Sequence, residues 1–298
     1  MLKYALLVFL GACSYGSLST IIKLGMKEGF QVSQLVGSQF FIGWLLLIIL
    51  TFLFNRKRVF FRSILQLILG GFALSGTTIF YNLAVAELPA SIAVVLLFQF
   101  TWIGVLLEAV VDKKKPSKEK VFSIVVLLTG TVLAGGLLDR GFESLTAAGT
   151  VYGLLSAITF ALYIFASGRL GLDVPVFTKS LTMVTTAVVI VFAVFPPTFF
   201  VDGSLEQGLW MYGMALSSLG IIIPVVFFSV GVPKVGSGLG TILGAAELPA
   251  AVIASVTVLG EHVSTLQWSG ILLILLGIIV PPLMLSKRQT GHTRPVVQ

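Results

Sequence analysis

One glutamate, Glu247, stands in an apolar run that carries no other charge from Gly236 to Gly260. It belongs to the pentapeptide "AELPA" at Ala246–Ala250, which also occurs at Ala86–Ala90. If the run crosses a lipid bilayer, the charged form of that carboxyl costs on the order of a few kcal/mol. Pro249 adds a second irregularity, because it cannot donate to the carbonyl of Ala245 and permits a kink. Two readings follow. Glu247 is an acid that takes up a proton or a substrate amine, or it is a neutral carboxyl that braces the broken backbone.

Other polar and aromatic groups could line a binding cavity with it. Gln99 and Trp102 are one helical turn apart and share a face. With Tyr81 and Asn82 they offer hydrogen bonds and a stacking wall, the usual make-up of a small-molecule site. Packing and interhelical bonding are the alternative reading. Ser14 and Tyr15, with Thr159 and Phe160 later in the chain, are further candidates, and Tyr163 lies one turn on. Glu108, Lys23 and Lys179 sit near the ends of apolar runs. There Glu108 can reach a lysine-rich loop, and the lysines can extend to water. His262 and His292 are far apart, so no metal cluster is visible. "GSGLGTILG" at residues 236–244 lacks both the spacing and the βαβ context of a nucleotide loop, and no cofactor is expected. No nucleophile–base–acid set stands at a membrane face, so catalysis is not expected.

The elements that must hold these residues are set by composition. Charged residues are 10% of the 298 and hydrophobic ones 57%, with mean hydropathy +1.06. Ordinary soluble domains carry roughly 25% charge, so lipid must be the solvent for most of this surface. At about 20 residues per crossing, the chain divides into about ten helices. They are expected near 4–24, 33–54, 64–85, 89–110, 120–138, 147–168, 175–196, 207–230, 236–259 and 265–285. The stretch "LGAC" at Leu10–Cys13 resembles a lipoprotein cleavage site, but the following residues continue as a membrane helix and are read as one. The single cysteine, Cys13, excludes an intrachain disulfide framework.

The net charge of +7 does not point to nucleic acid, because the basic residues cluster in short connectors. Arg56, Lys57, Arg58 and Arg62 fall on one side, together with Lys113, Lys114, Lys115, Lys118 and Lys120. So do Arg169, Lys179, Lys234, Lys287, Arg288 and Arg294. The other side collects Glu28, Glu87, Asp139, Glu143, Asp202, Glu206 and Glu261 against Lys23, Lys27 and Arg140. The positive-inside rule then puts both termini in the cytoplasm of a multi-pass protein of the plasma (inner) membrane.

The two halves share hydropathy and punctuation. The region from Leu88 to Lys115 answers that from Val235 to His262, with Glu247 placed opposite Gln99. "VLLTGTVLAGG" answers "LILLGIIVPPL", and "CSYGSLSTI" answers "ITFALYIFA". Each half has an odd number of crossings, so the second must insert upside down. The expected fold is all-α and integral to the membrane, about ten helices as two inverted five-helix repeats. The repeats span 1–139 and 140–286, with a cytoplasmic tail at 287–298. Such repeats place a site near the midplane between the halves. The two "AELPA" copies are not repeat mates: Glu87 meets water at a helix end, whereas Glu247 is mid-span.

The segment "GTILGAAELPAAVIASVTVLGEHVSTLQWSGILLILLGIIV" resembles the C-terminal signature of EamA-domain proteins, ten-helix members of the drug/metabolite transporter superfamily. It has a small-residue helix, an "E-x-P" step, an "lGE" end and a glycine-bearing final helix. The first half departs from this pattern, with "QFT" and "DKK" at the corresponding places. The resemblance implies export of a small organic metabolite by secondary transport. An acid beside aromatic groups points to an amino acid or other amine-bearing compound, with protons as coupling ion through Glu247. The expected partners are that substrate, the bilayer and protons, in a monomer. A passive facilitator and a membrane-embedded lipid-modifying enzyme are the alternative classes.

Overall fold

The structure, a computed structural model, describes residues 2–54, 61–136 and 146–291. Arg56, Lys57, Arg58, Asp139, Arg140, Glu143 and Arg294 lie outside the described residues. Among the described residues ten helical passes follow one another. They are α1 (Leu2–Gly16 and Leu18–Lys27), α2 (Val32–Phe54), α3 (Phe61–Glu87), α4 (Ala90–Leu97 and Phe100–Asp112) and α5 (Lys118–Ala134). The second half supplies α6 (Ala147–Arg169), α7 (Val176–Val194), α8 (Leu205–Val235), α9 (Ser237–Leu259) and α10 (Thr265–Gly291). Among the described residues nine are long and apolar enough to cross a membrane. The tenth, α5, is 17 residues long and continues the alternation. An even number of passes puts both chain ends at one end of the bundle.

The packing pattern maps onto itself when the halves are exchanged. α1 packs on α8 as α6 packs on α3, and α2 packs on α8 as α7 packs on α3. α1 meets α9 as α6 meets α4, while α4–α9 and α5–α10 pair each helix with its own repeat mate. This is the contact set that two inverted repeats must give.

Small residues set the crossing points, because close backbone approach replaces the hydrophobic drive that lipid cannot supply. At the α5–α10 crossing a Cβ on Gly130 would lie 2.8 Å from the Gly270 carbonyl oxygen, and one on Gly270 would lie 2.6 Å from that of Gly130. At the α4–α9 crossing Gly104 receives Thr241, whose hydroxyl donates to the carbonyl of Thr101 at 3.2 Å. Gly236 turns α8 into α9 with φ 89°, a conformation that a side chain would strain.

Connections at the bundle ends are polar. At the end carrying the chain termini, Glu108 pairs with Lys120 and lies against Gly236 and Gly238. The acid thus stands at the N-terminus of α9, where the helix dipole favours it. Arg169 bonds Asp112 at 2.6 Å. At the opposite end Lys23 bonds Glu261 at 2.6 Å and Gln34 bonds Asp202 at 2.7 Å. Glu108 and Lys23 thus behave as their sequence positions suggest. Lys179 does not: it is 2% exposed, and its Nζ donates to the Ser167 carbonyl at 2.8 Å instead of reaching water.

Candidate functional site

Both halves interrupt their fourth helix. α4 stops at Leu97 and restarts at Phe100, with Gln99 at the N-cap of the second piece. α9 stops at Gly244 and restarts at Glu247, with Ala246 at that N-cap. Discontinuous helices at corresponding places are where inverted-repeat carriers build their sites. The structure also corrects the register by one residue. Gln99 and Ala246 occupy equivalent caps, so the counterpart of Glu247 is Phe100 and not Gln99. The equal-length segments Leu88–Lys115 and Val235–His262 give this same pairing when laid side by side, so the sequence itself already carried the corrected register.

α1 is broken at the same level, between Gly16 and Leu18, and it presses on α9 there. A Cβ on Gly16 would collide with the carbonyl oxygen of Glu247 and lie 2.7 Å from the amide nitrogen of Ala251. Ser14, buried on α1, donates to the carbonyl of Leu219 at 2.6 Å. That carbonyl belongs to the π-helical stretch Ser218–Ile222 of α8, a geometry that loosens the regular backbone ladder. The Ser14 hydroxyl is therefore engaged in holding α1 to α8.

Glu247 is half-buried, and its carboxylate makes no hydrogen bond among the described residues. It acts electrostatically on the hydroxyls of Tyr15 on α1 and Tyr81 on α3. Three helices thus bring an acid and two phenols together. Tyr15 leads on to an aromatic group: its ring lies edge-on to Phe160 at 6.0 Å and to Phe228 at 5.9 Å. Phe160 in turn meets Phe100 at 4.6 Å and stacks on Tyr163 at 6.1 Å. Phe98, Phe100, Phe160, Tyr163 and Phe228 are all buried. They fill the bundle at the level of Glu247 and on its terminus-bearing side.

The remaining candidates divide. Gln99 and Trp102 bond each other, indole nitrogen to amide oxygen at 2.9 Å, and Gln99 also donates to the Val95 carbonyl at 3.0 Å. Their hydrogen-bonding groups are engaged within α4, although the Trp102 side chain remains 37% exposed. Asn82 donates to the carbonyl of Thr78 on its own helix at 2.8 Å. Thr159 joins α6 to α3 by accepting from Thr77 at 3.3 Å. Glu87 is exposed at the end of α3, as its sequence position suggests. Sequence reasoning missed Gly16, whose closeness to Glu247 exists only once α1 and α9 are packed. Its signal was a glycine in a helix that is otherwise continuous. Among the described residues no group of three metal-ligating side chains is present.

The profile of the EamA-like transporter family matches residues 2–136 and 147–280. A solved structure described only as "Crystal structure of protein" superposes with TM-score 0.77 at 20% identity, covering 95% of this chain and 97% of that one. At that identity it shows the fold. A comparison with curated proteins returned no match. The chain belongs to the EamA-like transporter family of the drug/metabolite transporter superfamily.

Proposed function

We propose that this EamA-family protein is a secondary active transporter that exports a small amine-bearing metabolite by alternating access, coupled to protons through Glu247. The observation that carries the reading is the Glu247 carboxylate. It is mid-span, at a helix break, beside two phenols, and has no hydrogen-bond partner among the described residues. A carboxyl that served only to brace the broken backbone would be bonded to it. One left unpaired in a membrane interior is costly, and a cycle in which a proton or an ammonium occupies it supplies the compensation.

The buried rings below Glu247 support a bundle closed toward the chain termini at the level of the acid. By the positive-inside pattern the termini are cytoplasmic, and for an exporter of this kind the membrane is taken as the plasma membrane. This state is then the outward-facing one. Rocking one repeat against the other about the α4–α9 crossing would expose the same acid inward. The reading needs no catalytic group and no partner chain.

The test uses reconstituted protein and a compound that raises its melting temperature in a screen of amino acids, organic cations and nucleobases, since a ligand of the folded state stabilises it. Glu247→Gln keeps the volume and cannot ionise. It should fold normally and lose both accumulation against a gradient and the pH dependence of binding. Glu87→Gln should leave both unchanged. A Glu247→Gln protein that concentrates the compound like the parent refutes proton coupling at this residue. Parent protein that only equilibrates the compound identifies a passive facilitator.

A further inference from the structure

Lys179 lies in the first turn of α7, close to a bundle end, yet only 2% of it is exposed. Its one hydrogen bond among the described residues goes to a neutral acceptor, the carbonyl of Ser167. Among the described residues it forms no ion pair with a carboxylate. A buried ammonium so poorly compensated is costly, and the structure surrounds it with further unused polar groups. Ser167 and Tyr163, one turn apart on α6, are fully buried, and their hydroxyls have no hydrogen-bond partner among the described residues. The Tyr15 hydroxyl on α1 is likewise buried and unpartnered.

These groups form a continuous series. The Tyr163 hydroxyl is within interaction range of Tyr15 on one side and Ser167 on the other, without hydrogen-bond geometry to either. Tyr15 in turn feels Glu247. A polar seam thus descends from the acid at mid-span, through Tyr15, Tyr163 and Ser167, to the ammonium near the terminus-bearing end. It crosses a region otherwise packed with phenylalanine and aliphatic side chains. Buried polar groups in stable interiors are almost always bonded, so several unsatisfied ones in a row call for a state in which they are not dry.

We propose that this seam between α1, α6 and α7 is the half-pathway that opens toward the terminus-bearing face in the alternate state, and that Lys179 there binds an oxyanion of the substrate, a carboxylate or a phosphate. The proposal rests on the alternating-access reading above and adds a cationic subsite to it. In the open seam the lysine offers donors that the Ser167 carbonyl leaves free. Ser167 and Tyr163 add neutral donors on the way to Glu247. A substrate carrying both an amine and an oxyanion would be handed from one end of the seam to the other.

The experiment requires neither a known substrate nor proton coupling. In full-length protein carrying Cys13→Ser, Ser167→Cys is exposed in inside-out vesicles to two impermeant methanethiosulfonates, one bearing a sulfonate and one a trimethylammonium. Rates are normalised to Leu172→Cys, an exposed position at the same end. Ser167→Cys should react from this face and favour the sulfonate reagent by about tenfold, the size expected for a unit charge a few ångströms away in a partly wet site. Adding Lys179→Gln should remove the preference. If Leu172→Cys reacts and Ser167→Cys stays inert, the seam does not open. If Ser167→Cys reacts without charge preference, Lys179 is no oxyanion subsite. Either result overturns the proposal while leaving the Glu247→Gln transport test to decide proton coupling separately.

Discussion

Replacing Gly16 by alanine tests the contact on which the site's geometry depends. The new methyl would collide with the Glu247 carbonyl oxygen and stand 2.7 Å from the Ala251 nitrogen and 2.8 Å from the Ala250 Cβ. Ordinary contact begins at 3.4 Å, so α1 and α9 must separate by more than about 0.7 Å at the level of the acid. Two of the three atoms are backbone, and no rotamer change relieves them. Overpacking of this kind typically costs about 1–3 kcal/mol. Alanine in place of a helical glycine returns up to about 1 kcal/mol; with two immovable backbone contacts putting the cost at about 2–3 kcal/mol, a net loss of roughly 1–2 kcal/mol remains. In thermal unfolding followed by tryptophan fluorescence, at about 2–4 °C per kcal/mol, Tm should fall by about 2–8 °C. Gly76→Ala is the control. Its methyl would meet the Thr159 side chain from 3.0 Å and the Phe80 ring at 3.8 Å, with no backbone atom among its nearest neighbours, so its Tm should match or exceed the parent's. A Gly16→Ala protein as stable as Gly76→Ala would refute the packing of α1 on α9 at Glu247.

Two further outcomes are expected. Trp102→Ala should change Tm little, because the side chain is 37% exposed, yet weaken binding of the compound found in the screen. A fall in Tm with affinity retained would make Trp102 a packing residue. At the end opposite the chain termini, the hydrogen bond from Lys23 holds the Glu261 carboxyl below the usual glutamate range. The pair therefore contributes at neutral pH and fades as pH falls through that lowered value. Below about pH 4 the parent should lose Tm more steeply than Glu261→Gln, and parallel pH profiles would show that the pair has no role in stability.

Lipid as solvent, the number of passes and the inverted repeat were legible in the sequence because each is a property of order along the chain. Apolar runs of bilayer length, separated by charged connectors, admit few other solutions. An odd number of crossings per half then forces inversion. Glu247 stood out for a similar reason, as a lone carboxyl in a run without other charges. The tertiary structure alone decided what surrounds it. It showed where α4 and α9 are cut, at Gln99 and Ala246, because a helix break is a backbone event that hydropathy does not mark. It showed Ser14 engaged with the loosened backbone of α8, and the hydrogen-bonding groups of Gln99 and Trp102 engaged within α4. It buried Lys179, which the sequence would have sent to water, because α7 packs against α2, α3 and α8 and the ammonium meets the Ser167 carbonyl of α6. Tyr15, Tyr81 and Glu247 come from three helices far apart in the chain. Whether such groups meet depends on where each helix is cut and how closely glycines let the pieces approach, and only packing in three dimensions sets that.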